Sequence, residues 1–146
     1  MTTLATAEEA LRLAQSEPAR SSALALDALG RGPDALTSAV AERALGMAAK
    51  ARHDWLASRD HLERSISIAN SAGLAPAVAA ETRASLAPVL WYLGDTAAAL
   101  HQIDLAAPDL SGPMSARLEM NRAFIMQREG RLDEALEVYR RTLITM

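Results

Sequence analysis

The chain has 146 residues, of which 50% are hydrophobic and only 3% aromatic, and alanine and leucine dominate the apolar set. This composition excludes a β-sandwich or barrel, which needs β-branched and aromatic residues, and a disordered chain, which has far fewer apolar residues. The absence of cysteine excludes thiolate catalysis, Cys-ligated metals and a disulfide framework. The net charge of −3 argues against a nucleic-acid partner, which requires a basic surface.

Glycine and proline divide the chain into eight segments of helical periodicity. Four glycines follow such a segment, where a left-handed residue commonly ends a helix: Gly30, Gly73, Gly94 and Gly130. Three prolines open the next segment, where their missing N–H costs nothing: Pro33, Pro76 and Pro113. We therefore predict helices over residues 7–15, 18–29, 33–52, 55–72, 76–93, 96–107, 113–129 and 132–146. The short connections favour antiparallel packing of successive helices, and so an all-α fold.

Local signals refine three of these helices. Thr6 and Glu9 have the spacing of a capping box and predict the start of the first helix, and Ser16 is the predicted cap of the second. Pro88 lies inside the fifth helix, where it removes one backbone hydrogen bond. Because the leucine periodicity continues on both sides of Pro88, we predict a kink rather than a break, either as tolerated strain or as a feature that shapes a groove.

The last helix carries its apolar residues on one stripe: Leu132, Ala135, Leu136, Tyr139 and Leu143. Terminal helices of repeat proteins usually present a polar outer face, and this one does not. We therefore predict an interface at Leu136, Tyr139 and Leu143. Its occupant is a continuation of the chain, a partner protein, or a second copy in a homodimer.

The helices also form self-similar pairs, in which three classes of position recur. Small residues recur in the first helix of each pair at Gly46, Ala87 and Ala123, and early in the second helix at Ser58, Ala99 and Ala135. A bulky residue follows four positions later at Leu62, Ile103 and Tyr139. Small residues allow two helices to approach closely, and the bulky residue fills the space beside them.

With this pattern and the stretch 130–139, Gly-Arg-Leu-Asp-Glu-Ala-Leu-Glu-Val-Tyr, the sequence resembles the tetratricopeptide repeat (TPR) family. The resemblance implies an α-solenoid of about four antiparallel helical hairpins with a right-handed superhelical twist. The hairpins are a degenerate one at 1–32 and repeats at 33–73, 74–111 and 112–146. The usual aromatic of the first repeat helix is absent, and Glu42, Arg83 and Glu119 stand in its place.

A narrower similarity connects the motifs at 17–20, 41–46, 83–87 and 130–135 with the N-terminal repeat region of bacterial TPR proteins that carry a caspase-like (CHAT-type) domain. Such a protease domain needs a catalytic cysteine, which this chain lacks. We expect no enzymatic activity, no cofactor and no metal. The three histidines, His53, His61 and His101, lack metal-ligand spacing, and no motif places a nucleophile beside them.

In this family the first helix of each pair lines a concave groove, which implies a partner-binding surface on the third, fifth and seventh helices. The corresponding residues are Arg43, Met47, Lys50, Glu81, Ser85, Pro88, Trp91, Tyr92, Arg117, Met120, Asn121, Phe124, Gln127 and Arg128. Met47 occupies the position where relatives that clamp a C-terminal carboxylate carry asparagine, so that binding mode is not predicted. Each aromatic in this set has an alternative role as core between stacked helices.

The sequence thus predicts a non-catalytic protein-interaction scaffold that binds a peptide or protein segment, or serves as the regulatory repeat region of a larger effector. The alternative is a peptide-sensing regulatory domain of a transcriptional regulator whose DNA-binding part lies elsewhere. Two carboxylates stand where a signal peptide would be apolar, and no apolar run reaches the length of a membrane span. We therefore expect a cytoplasmic protein with no membrane partner.

Overall fold

A computed structural model describes the backbone of residues 1–145 and the side chains of residues 1–144. This part of the chain is all-helical and contains no strand. The helices are α1 (Thr3–Leu13), α2 (Pro18–Leu29), α3 (Ala35–Ala51), α4 (Trp55–Ser71), α5 (Pro76–Tyr92), α6 (Thr96–Ala106), α7 (Gly112–Arg128) and α8 (Leu132–Thr145). A short 3-10 turn, Ala107–Asp109, follows α6. Helices α2 to α8 lie close to their predicted ranges, and α5 continues through Pro88 without a break. Pro33 does not open α3 as predicted, because Asp34 caps that helix by accepting from the Thr37 amide at 2.8 Å.

The start of α1 corrects the predicted capping box. The helix begins at Thr3 because the hydroxyl of Thr2 accepts a hydrogen bond from the Ala5 amide at 3.0 Å. Thr6 lies inside the helix, where its hydroxyl donates to the Thr2 carbonyl, and Glu9 pairs with Arg12 instead of capping. Thr2 offers the same capping chemistry one turn earlier, so the helix gains an extra turn.

Two predictions for the ends of α2 are wrong as well. Ser16 does not cap the helix, since Glu17 is the N-cap residue and provides no side-chain hydrogen bond, while Pro18 supplies the preset backbone angle. Gly30 has a φ of −73°, within the ordinary helical range, and the left-handed residue of this connection is Gly32 at 65°. The chain therefore turns two residues later than its first glycine suggests.

One turn geometry recurs after α3, α4, α5 and α7. In each case a residue with positive φ follows the helix: His53 (60°), Gly73 (63°), Gly94 (88°) and Gly130 (80°). The next amide donates five residues back at 2.8–3.0 Å: Asp54 to Ala49, Leu74 to Ala69, Asp95 to Leu90, and Arg131 to Met126. This is the hydrogen bond of a Schellman motif. His53 adopts a conformation that glycine adopts in the other three turns.

The small positions of the repeat pattern lie where helices cross most closely. Gly46 of α3 faces Leu62 of α4, and a Cβ at Gly46 would stand 2.7 Å from the Leu62 side chain. Leu62 and its counterpart Ile103 are fully buried, whereas Tyr139 is half-buried. The remaining small positions are buried too: Ser58, Ala87, Ala99, Ala123 and Ala135. The alanine-rich composition therefore serves close helix contacts.

Polar side chains link neighbouring helices at two of the positions where an aromatic residue is absent from the sequence. Glu42 of α3 accepts from His61 Nδ1 of α4 at 2.8 Å, and Arg83 of α5 donates to Gln102 of α6 at 2.7 Å. Both pairs are separated by 19 residues, so equivalent positions of two hairpins make equivalent contacts. These bonds satisfy polar groups that are largely withdrawn from water.

Packing follows chain order from α1 to α6, with each helix against its neighbours and α1 also against α3. Helix α7 packs closely on α8 but meets α5 and α6 over a smaller interface. An ion pair between Arg122 of α7 and Asp104 of α6, at 2.6 Å, helps to hold the last hairpin in place. A space remains open where α3, α5 and α7 face one another.

The predicted stripe of α8 is divided between two environments. Of the predicted stripe, Ala135 is buried and Tyr139 is half-buried. The buried face also contains Val138 and Thr142, which were not predicted, and Val138 packs with Ala123 and Met126 of α7. Leu132, Leu136 and Leu143 are exposed instead, so they belong to the helix surface and not to the core. Within the described residues, no helix is long and apolar enough to cross a bilayer.

Candidate functional site

The candidate site is a cavity of about 620 Å³ between α3, α5 and α7, which we call the α3–α5–α7 cavity. Its volume lies in the range of ligand pockets in proteins. The predicted groove residues that line it are Arg43, Met47, Lys50, Ser85, Pro88, Trp91, Tyr92, Arg117, Asn121 and Phe124. Positions predicted from the repeat pattern are thus brought together on three separate helices.

Other predicted groove residues lie elsewhere. Glu81 does not line the cavity but pairs with Arg43 at 3.3 Å. Gln127 accepts a hydrogen bond from the Tyr139 hydroxyl of α8, and Arg128 is exposed in the last turn of α7. Met120 faces a different depression, beside Pro113. The C-terminal end of α7 therefore lies beyond the cavity, where it contacts α8.

Several lining residues were missed by sequence reasoning: Gln15, Ala84, Met114, Leu118 and Ile125. Leu118 and Ile125 are buried residues whose periodicity predicts core, and they form the floor where core meets cavity. Gln15 follows α1, outside the clear repeats, so no repeat position pointed to it.

The charged residues of the wall are all cations. Arg43, Lys50 and Arg117 line the cavity, and no aspartate or glutamate does so within the described part of the chain. Lys50 forms no ion pair among the described residues, and burial lowers the pKa of its ammonium group. Arg117 is exposed and likewise has no ion-pair partner in residues 1–144. The cavity is a positive region in a chain of net charge −3.

Arg43 is held in place but keeps one donor unused. Its Nη1 donates to Glu81 at 3.3 Å and its Nη2 to the Ser85 hydroxyl at 3.4 Å. Its Nε is buried and has no hydrogen-bond partner among the described residues. Burial lowers the pKa of Arg43, and the neighbouring Glu81 carboxylate opposes that effect. A buried donor without an acceptor is uncommon in folded proteins and calls for an explanation.

Four aromatic residues form a continuous row, of which Trp91, Tyr92 and Phe124 line the cavity and Trp55 lies outside its lining. Trp91 meets the edge of Phe124 at 5.4 Å and of Tyr92 at 5.1 Å, and Tyr92 stacks on Trp55 at 4.3 Å. Tyr92 and Phe124 remain 55% and 45% exposed, which is high for side chains of this size. The row holds apolar surface in fixed positions that a ligand can cover.

Other depressions and side-chain clusters of the structure provide fewer groups that could bind a ligand. A larger depression of about 780 Å³ runs along α7 and α8, but it carries no aromatic, and Arg122 on its wall already pairs with Glu119. Asp54, which follows His53, caps α4 by accepting a hydrogen bond from the Ala57 amide. Within residues 1–145, no three His, Asp or Glu side chains are placed to hold a metal ion.

Comparison with known proteins identified no relative of this chain. No family model, no curated protein and no solved structure matches this chain.

Proposed function

We propose that this chain is a non-catalytic protein-interaction module that binds a peptide segment in the α3–α5–α7 cavity. The helices form a TPR-like right-handed solenoid in this proposal, and the first helices of its hairpins supply the binding face. The observation that carries it is the cavity itself, where exposed aromatic residues line the same space as Lys50 and Arg117, two cations without a carboxylate partner among the described residues.

The repeated local geometry supports the solenoid arrangement. The same left-handed turn separates α3 from α4, α5 from α6, and α7 from α8. The polar links of Glu42 and Arg83 also occur at equivalent positions of consecutive hairpins. A stack of similar hairpins places equivalent faces side by side, which creates an extended binding surface.

The side chains of the cavity wall indicate which kind of peptide segment fits. Lys50 and Arg117 are donors that have no carboxylate partner among the described residues, and an acidic side chain of the ligand would supply an acceptor for them. Trp91 and Phe124 provide an apolar surface beside these donors. The preferred segment therefore contains an aspartate or glutamate next to a large apolar residue.

Selection from a displayed library of random peptides tests this function. Enriched peptides should combine an acidic with an apolar residue, and their binding should change the tryptophan fluorescence because Trp91 lines the cavity. Arg117→Glu should weaken binding by about five- to tenfold, since an exposed charge pair contributes little and reversal makes it repulsive. The matched control is Arg128→Glu, on the same helix but outside the cavity.

Equal losses of affinity in both variants would show that net charge alone, and not the cavity, governs binding. The selected peptides are then tested on a double variant, Arg117→Glu with Phe124→Glu. If they bind this variant as tightly as they bind the parent chain, the cavity is not the binding site.

A further inference from the structure

Helix α8 exposes a regular apolar stripe, which we call the α8 stripe: Leu132, Leu136, Tyr139 and Leu143. Its leucines are 62%, 48% and 67% exposed, although the adjacent face of α8 is buried against α7. The spacing between successive residues is four, three and four, which is the heptad spacing of coiled-coil seams. The stripe therefore has the pattern of a helix that packs on another helix.

The charges beside the stripe indicate which helix fits. Asp133 and Arg140 are exposed, lie one heptad apart on the same flank, and form no ion pair among the described residues. Asp133 directly follows the stripe residue Leu132, and Arg140 directly follows Tyr139. In an antiparallel pair of identical helices, such flanking residues of the two copies face each other across the seam. Asp133 of one copy then meets Arg140 of the other, twice by symmetry.

The apolar residues fit the same register. The alignment that pairs Asp133 with Arg140 also places Leu136 opposite Tyr139 and Leu132 opposite Leu143. A parallel alignment brings Arg140 beside Ala135, which is uncharged and buried against α7, and gives Asp133 no partner within α8. Charge complementarity thus favours the antiparallel arrangement of two copies.

We propose that two copies of this chain dimerise through antiparallel pairing of their α8 stripes. No stripe residue lines the α3–α5–α7 cavity, so this proposal does not rest on peptide binding there.

Sedimentation equilibrium of the whole chain at increasing concentration tests the proposal. We expect a species of twice the 15.6 kDa monomer mass, which Leu136→Glu weakens by more than about tenfold because it places a charge in the seam. Leu26→Glu is the matched control, since Leu26 of α2 is similarly exposed and lies outside the stripe. Circular dichroism checks that each variant remains helical.

A charge exchange tests the register. Asp133→Arg alone and Arg140→Asp alone should each weaken the dimer, and the double exchange should restore it. A mixture of the two single variants should form a heterodimer in preference to either homodimer. A parent chain that stays monomeric at every concentration overturns the proposal. A dimer unaffected by Leu136→Glu, or a double exchange that fails to restore association, overturns it too.

Discussion

Leu62→Ala should lower the free energy of unfolding by about 2–5 kcal/mol, the range for removing a large apolar side chain from a packed core. Leu62 is fully buried and belongs to the largest apolar cluster, together with Leu86 and Ile103. It also fills the space that Gly46 leaves open across the α3–α4 crossing. The shortened side chain would leave a cavity there, because the backbones are already in close contact. Urea denaturation followed by circular dichroism measures the loss.

Leu56→Ala is the matched control for this change. Leu56 is on the same helix and is 57% exposed, so its truncation should alter stability by no more than about 0.5 kcal/mol. Similar losses of unfolding free energy in the two variants would show that Leu62 does not stabilise the α3–α4 crossing more than an exposed leucine does.

Lys50→Met should have opposite effects on stability and on binding. Lys50 is largely withdrawn from water without an anionic partner, so the folded chain bears the cost of desolvating its charge. Methionine has a similar length and no charge, and we expect it to stabilise the fold by about 0.5–2 kcal/mol. Peptides selected on the parent chain should bind at least about tenfold more weakly, because a more buried cation contributes more than an exposed one.

The pH dependence of this effect has a defined sign. Burial lowers the pKa of Lys50 in the folded chain, so between that pKa and the ordinary lysine value the unfolded chain binds more protons. Stability contributed by this group therefore rises with pH across that window. The advantage of Lys50→Met should shrink there, since neutral Lys50 no longer bears the cost. An advantage that is constant or grows with pH would contradict the burial of a charged Lys50.

Most helix boundaries could be predicted because glycine and proline act through the backbone alone. Gly73, Gly94 and Gly130 adopt the left-handed conformation that their positions indicate. The prediction fails where two residues offer the same local chemistry. Thr2 and Thr6 are both able to cap α1, and Gly30 and Gly32 are both able to turn the chain after α2, so local sequence alone does not distinguish between them.

The cavity could be predicted as far as the repeat extends. Equivalent positions on α3, α5 and α7 face one another, which is why residues as distant as Met47 and Asn121 share one wall. Gln127 departs from this rule because it bonds to Tyr139 of α8. The pairing of Glu42 with His61 could not be read from the sequence either, since its 19-residue separation spans a whole turn between helices.

The methionine methyl groups provide the most direct test of binding in the α3–α5–α7 cavity. Met47 and Met114 line this cavity, Met120 lines a depression at the start of α7, and Met126 lines the depression along α7 and α8. The measurement is a titration of the ¹³C-methyl-methionine-labelled chain with a selected acidic–apolar peptide, followed by NMR. We predict that the Met47 and Met114 signals shift together while those of Met120 and Met126 stay in place. Shifts confined to Met120 or Met126 would place the ligand elsewhere and contradict the account.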